Sequence, residues 1–296
     1  MKNMRLTVFT PTYNRAYCLQ DCYESLKRQT NKDFMWLIID DGSTDGTPEL
    51  VEQWIAEEAV PIRYYWQENH GMHGAHNTAY ELIETELNVC IDSDDYMPDD
   101  AVEKILAFWE RHGSDQVSGI IGLDSDREGK VLGTRLPEDL KQSTLFDLYR
   151  KHGVTGDKKL VYRTELTKKY RYPIFEGEKY VGLAYKYYKL DEQYEMLLLN
   201  EVLCCVEYLA DGSSMNMLSQ YKRNPRGFAF YRKELMKLSF ANFSFKFRQA
   251  IHLVSSSIIA RNRNLLIETP SKLITLLALP LGVVLYGFIV VKTKRA

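Results

Sequence analysis

Short apolar runs alternate with longer amphipathic segments through the first 110 residues. Residues 6–10 (LTVFT), 34–39 (FMWLII), 62–66 (IRYYW) and 87–91 (LNVCI) have strand length and end in polar loops. Between them, residues 18–28 repeat Leu19, Tyr23 and Leu26 at intervals of four and three, as a helix requires. Residues 49–57, with Leu50, Val51, Trp54 and Ile55, predict a second helix, capped by Ser43 or Asp45. Residues 78–84 predict a third, and residues 101–111 a fourth, with Val102, Ile105, Leu106 and Trp109 at core spacing. Strands and helices in alternation imply an α/β fold with a mostly parallel sheet covered on both faces.

In such a sheet the ligand lies beyond the carboxyl ends of the strands. Three polar loops follow three of the strands here: TPTYNR, DDGSTD and DSDD. They are expected to converge on one site. The last poses a physical problem, because Asp92, Asp94 and Asp95 crowd together where a buried strand ends. Carboxylates so placed repel one another and lose hydration, so a positive charge should compensate. Asp92 and Asp94 are two apart, so on an extended strand end they point the same way, while Asp95 faces elsewhere or caps the following turn. Magnesium typically takes one or two carboxylates plus phosphate oxygens and waters, so a D-x-D there suits a metal carried on a diphosphate. Asp99 and Asp100 read as capping residues of the next helix. Asp124 and Asp126, in DSDREG, read as a turn between strands.

Charge divides the chain. From Gln220 onward there are 14 Lys/Arg and 2 Asp/Glu, a balance of +12, whereas residues 1–219 hold 24 and 38, a balance of −14. An acidic body therefore precedes a basic tail that meets something anionic. Residues 273–291 are 19 positions without a charge, nearly the ~20 that cross a bilayer, interrupted by Pro280 and Gly282 and followed by Lys292, Lys294 and Arg295. The stretch before them interleaves Arg and Lys with Phe and Tyr, the composition of an interfacial anchor on anionic lipid. The adjacent apolar helix disfavours nucleic acid as the partner. The expected layout is a catalytic domain over 1–219, a basic aromatic-rich helical region over 220–269, and an apolar anchor or re-entrant helix over 270–296. The five cysteines show no zinc spacing and read as reduced thiols, which, with the apolar tail, places the body on the cytoplasmic face of a membrane.

The order TPTYNR, IIDDGSTDGT, ENHGMHGAHN, CIDSDD resembles the family 2 glycosyltransferases of GT-A fold, over roughly residues 4–215. The resemblance implies a metal-dependent, inverting transfer of a sugar from a nucleotide-diphosphate sugar, with Mn2+ or Mg2+ as cofactor. It implies that Thr10, Pro11 and Tyr13 border the nucleotide base and ribose, and that Asp41 accepts a hydrogen bond from a uracil-type base. Asn69, Gly71, His73 and Asn77 match the loop beside ribose and diphosphate; Met72 stands where many relatives carry a basic residue. Asp92, Ser93 and Asp94 form the D-x-D, with Asp92 and Asp94 the metal ligands and Asp94 the better placed for direct contact. In the branch reading F-x-G-E-K-[FY], Glu178 is the expected general base, with Glu176 next; Lys179 replaces the aspartate of the E-D pair in other relatives. Tyr208, Asp211, Gly212 and Ser213 also resemble that branch. The expected donor is a UDP-sugar, and the expected acceptor a lipid-linked glycan or cell-envelope polysaccharide. A non-catalytic scaffold and a nucleotidyltransferase of the same fold are the alternatives.

Overall fold

The structure, a computed structural model, describes residues 4–207 and 217–293. Tyr208, Asp211, Gly212, Ser213, Lys294 and Arg295 lie outside the described residues. The elements run β1 (Leu6–Thr12), α1 (Leu19–Lys27), β2 (Phe34–Asp40), α2 (Thr47–Glu57), β3 (Ile62–Trp66), α3 (Met72–Leu82), β4 (Leu87–Cys90) and α4 (Ala101–His112). They continue with β5 (Val117–Ser125), β6 (Gln142–Ser143), α5 (Leu145–Arg150), β7 (Lys158–Arg163), α6 (Thr164–Thr167), α7 (Ala184–Asp191) and β8 (Glu195–Cys205). A helical run closes the chain: α8 (Met217–Arg223), α9 (Pro225–Lys237), α10 (Phe243–Ile259), α11 (Leu265–Glu268) and α12 (Lys272–Thr293).

By contact the chain divides into two compact units. The first comprises residues 1–69, 74–171 and 193–209, and holds one eight-stranded sheet in the order β3-β2-β1-β4-β7-β5-β8-β6. β1 to β4 are mutually parallel, and β7 joins antiparallel to both β4 and β5. The sheet is therefore mixed, with its parallel half built from the four strands that the apolar runs predict. The core beneath it is aromatic: Tyr23 of α1 stacks on Trp54 of α2 at 4.4 Å, and Trp54 on Trp36 of β2 at 5.7 Å. Burying side chains of this size contributes about 2–3 kcal/mol each. α3 starts six residues earlier than its apolar spacing predicts. Its first turns read MHGAHNT, mostly small and polar, so periodicity is silent there. Packing marks it instead: His76 meets the rings of Phe9 and Tyr80 edge-on at 5.3 and 5.9 Å.

The second unit comprises residues 70–73, 172–192 and 210–296, so two segments from the middle of the chain belong with the C-terminal helices. Within it α12 lies along α10. Thr275, Ala278 and Gly282 are buried on the seam, and a Cβ at Gly282 would come within 2.4 Å of Val254. Small residues at spacings of three and four let the two helices approach closely. The hydroxyls of Thr269 and Thr275, 2.6 Å apart, tie the entry of α12.

Candidate active site

The loops after β1 and β2 are laced together. Asn14, in left-handed conformation at φ 53°, donates its backbone N–H to Ser43 Oγ (2.8 Å) and accepts the N–H of Thr44 at its own Oδ1 (2.8 Å). The N–H groups of Arg15 and Ala16 reach Thr47 Oγ1 and Asp45 Oδ2. Asp45 also receives the N–H and hydroxyl of Thr47 at 3.0 and 2.6 Å, so it orders the start of α2 although Gly46 occupies the capping position. Two of the expected loops thus form one ledge at the carboxyl edge of the sheet.

The two acids of DDGS differ in what holds them. Asp40 is fully buried and accepts the N–H of Ser43 (2.7 Å) and the hydroxyl of Tyr64 (2.6 Å). Burial first, then the nearby carboxylate, pushes the Tyr64 phenol far above its ordinary range, so it stays a donor. Asp41 hangs from the end of β1 through its N–H to Thr12 O (2.8 Å), and its Oδ1 accepts from Gln67 Nε2 at 2.7 Å. Gly42, at φ 89°, turns the loop beneath Asn69, whose backbone nitrogen lies 3.0 Å from where a Cβ would be. Thr10 lies in the core, and its hydroxyl accepts the indole N–H of Trp36 (2.9 Å). Pro11 is half-buried and Tyr13 about half exposed. His73 and Asn77 are buried on α3, one turn apart.

Exposure alternates along the acidic loop, set by a turn that the Asp95 N–H closes on the Asp92 carbonyl at 3.0 Å rather than by extended backbone. Asp92 and Asp94 are half-exposed, whereas Ser93 and Asp95 are buried. Asp95 turns inward and accepts the N–H of Glu207 at 3.1 Å, tying the loop to the end of β8. Burial raises its pKa to about 7, against the pull of Lys159. Lys159 is the positive charge that the sequence demanded and did not identify. Its Nζ lies 4.0 Å from Asp95 Oδ2, 3.9 Å from Asp124 Oδ1 and 3.5 Å from the carbonyl of Cys90. The one available signal was the opening KK of the apolar strand KKLVYR, where period-two alternation puts Lys159 on the same face as Val161. Asp126 accepts the N–H groups of Glu128 and Lys130, the expected turn. Asp100 occupies the N-cap of α4 without a side-chain bond to it, and Asp99 pairs with Arg28 at 3.0 Å.

No group of three His, Cys, Asp or Glu able to hold a metal occurs among the described residues. Two outward carboxylates fit a hard divalent cation only if a ligand brings the remaining oxygens, which is what a diphosphate does. A cavity of about 560 Å³ bordered by Glu84, Trp109 and Lys168 opens at the other end of the sheet, beside the start of β4, away from these loops.

In the second unit, Glu178 is buried and its carboxylate closes the N-terminus of α9. It accepts the backbone N–H of Arg226 (3.0 Å) and of Gly227 (2.8 Å), and the Arg226 Nε–H (3.0 Å). A general base needs a lone pair aimed at the acceptor hydroxyl, and this one is committed to three donors. Glu176, on the same turn, is exposed. The N–H of Lys179 is held by Asn224 Oδ1 at 2.7 Å. Gly71, at φ 78°, lies against the same stretch: a Cβ there would sit 2.0 Å from the carbonyl oxygen of Lys179.

Among solved structures, the chain resembles TarS 1-349 of S. aureus with a TM-score of 0.61 at 20% identity, covering 99% of this chain and 92% of that one. It also resembles a mannosyltransferase of Pyrobaculum calidifontis, solved with GDP-Man and Mn2+, with a TM-score of 0.56 at 18% identity, covering 95% and 86%. At these identities the likeness is one of fold. In sequence it is 32% identical over 127 residues to a chondroitin synthase of Escherichia coli and 34% identical over 99 residues to a teichoic acid poly(glycerol phosphate) polymerase of Staphylococcus epidermidis. The matches take in 43% and 33% of this chain, but only 18% and 14% of those longer proteins. Residues 7–171, more than half of the chain, match the family described as Glycosyl transferase family 2, and the chain belongs to that family.

Proposed function

We propose that the protein transfers a sugar from a nucleotide-diphosphate sugar, a UDP-sugar by preference, to a lipid-linked glycan or cell-envelope polysaccharide. The observation that carries this reading is the alternation in the acidic loop, with Asp92 and Asp94 outward and Asp95 inward. Asp92 and Asp94 would hold Mn2+ or Mg2+ shared with the donor diphosphate. That ion supplies electrostatic stabilisation of the leaving diphosphate. Ser93 is proposed beside the same phosphates, and His73 and Asn77 along the ribose and diphosphate. Asp41 would accept an N–H of the base, and Pro11 and Tyr13 would border base and ribose. Thr10 would act through Trp36, holding the strand that ends in that ledge.

Inverting transfer needs a group to take the proton of the acceptor hydroxyl. Because Glu178 is engaged with three donors, we assign it the anchoring of the acceptor-side turn and give the base role to Glu176, which is exposed there. The supports for the acceptor class are the relatives that are a chondroitin synthase and a teichoic acid polymerase.

α12 is long and apolar enough to cross a membrane, yet one face is spent on α10. Its other face presents Leu273, Leu277, Leu281, Val284, Phe288 and Val291, with Lys272 and Lys292 near its ends. We place this face in the lipid of an anionic cytoplasmic membrane surface, with the helix remaining seated on α10.

Calorimetric titration of UDP and GDP with and without Mn2+, on wild type and Asp94→Asn, tests the donor reading. Mn2+-dependent binding of UDP that Asp94→Asn abolishes is the expected result. Absence of binding by either nucleotide overturns it.

A further inference from the structure

The crowding of Asp92, Asp94 and Asp95 is resolved by strand pairing. β7 runs antiparallel to β4 with Val89 opposite Val161 and Leu87 opposite Arg163. Carried on by two residues, that register sets Lys159 level with residue 91, where the chain leaves the sheet for the acidic loop. β7 is also paired with β5, with Gly122 opposite Lys159, so the lysine stands between the acidic loop and Asp124. Its side chain is 12% exposed, and those of Asp95 and Asp124 are 5% and 3% exposed. Oδ1 of Asp124 is buried and makes no hydrogen bond. The ammonium lies too far from either carboxylate for a hydrogen bond and nearly equidistant from both. It acts as a shared counter-charge, with the Cys90 carbonyl at 3.5 Å and the Cys204 thiol also beside it. Remove it, and two buried carboxylates, both already under the charge of Asp92, lose the ammonium they share.

We infer that Lys159 is a positioning residue for the acidic loop, holding Asp95 inward so that Asp92 and Asp94 are presented outward to the divalent ion and diphosphate. The chain of contacts is explicit. Lys159 lies beside Asp95, Asp95 holds the N–H of Glu207, and the N–H of Asp95 bonds to the carbonyl of Asp92 at 3.0 Å. Lys159 touches neither donor nor acceptor in this scheme. The inference rests on the donor-site reading only for what the loop binds; the positioning itself does not depend on ligand.

The test uses the full chain with Lys159→Met, which keeps the length of the side chain and removes its charge. Hydrogen exchange is read at the amides of Asp95 and Glu207 relative to those of β1, and Mn2+-dependent UDP affinity is read by calorimetry. The expected result is exchange about tenfold or more faster at those two amides, and Mn2+-dependent affinity about tenfold or more weaker, the scale of one pKa unit of lost charge compensation. Adding Asp124→Asn, which removes one of the opposed carboxylates, is expected to recover part of both losses; a merely misfolded core would not respond so. Unchanged exchange and affinity in Lys159→Met overturns the inference, as does a loss that Asp124→Asn leaves untouched. If Lys159→Met does not fold, Lys159→Arg is read in the same way: retention of both properties supports the charge role, and their loss overturns it. If wild type binds no nucleotide, the donor reading fails, while the exchange comparison still decides the role of Lys159.

Discussion

Glu178 and Gly227 are joined by a hydrogen bond of 2.8 Å from the glycine N–H to the carboxylate, 49 residues apart in sequence. A Cβ at Gly227 would sit 2.1 Å from the carbonyl oxygen of Tyr180, so the glycine is what lets the first turn of α9 reach the carboxylate. A negative side chain here meets both the unpaired N–H groups of a helix start and its positive dipole end.

That pairing separates two carboxylates on one turn. Glu178→Ala is expected to lower stability by about 1–3 kcal/mol, because it strands buried backbone donors. Glu176→Gln is expected to leave the melting temperature within a degree or two while lowering kcat about a hundredfold or more, as loss of a general base does. Thermal melts and steady-state transfer assays on the two variants check this. A stable, inactive Glu178→Gln beside an active Glu176→Gln would return the base role to Glu178.

Gly71 is expected to tolerate no side chain. Its φ of 78° is strained for other residues, and a Cβ would overlap the backbone of Lys179. Gly71→Ala should therefore cost about 1–3 kcal/mol and disturb the turn that carries Glu176 and Glu178. Urea unfolding gives the stability, and limited proteolysis near residue 177 the local effect.

The outer face of α12 gives a membrane prediction. Replacing Leu277, Val284 and Phe288 by Ser, all outside the seam with α10, should leave the fold intact. It should release the protein from vesicles containing anionic lipid, since each buried apolar side chain contributes roughly 1.5–3 kcal/mol to insertion. Vesicle flotation measures it, with size-exclusion chromatography as control: a change from dimer to monomer would assign the face to a second copy of the chain instead.

His252 makes stability fall in mild acid. Burial first, then the charges of Arg232 and Arg248, lower its pKa from 6.5 to about 4, and its ring lies 5.8 Å from that of Tyr221. Above pH 6.5 it is neutral folded and unfolded, so it adds no pH dependence. As pH falls from 6.5 to 4, the unfolded chain takes up a proton that the folded chain refuses, and stability is lost over that window. The melting temperature of His252→Gln should decline less steeply between pH 6.5 and 4 than that of wild type, whatever its absolute value.

Local pattern was enough for the four strands of the parallel half and for α1, α2 and α4, but not for the polar first turns of α3. Val102, Ile105, Leu106 and Trp109 are buried on α4 as their spacing requires, and Ile62–Trp66 is a strand of the length its run predicts. Extended backbone was the expected source of the outward Asp92 and Asp94 and the inward Asp95, whereas a turn closed by the Asp95 N–H on the Asp92 carbonyl sets that alternation. The sequence also demanded a cation near those acids without naming it, since nothing local ties Lys159 to a loop 65 residues earlier; an antiparallel pairing does. For the same reason nothing in the sequence showed what holds Glu178, the expected general base. Its partners are the N–H groups of Arg226 and Gly227, which every residue but proline carries and which no side-chain pattern reveals. α12 read as an apolar segment of membrane length, and only packing against Val254 showed which face is spent on protein. Periodicity and charge are short-range and determined the elements and their chemistry; which groups neutralise one another depends on chain segments brought together from afar, and the tertiary structure alone decided it.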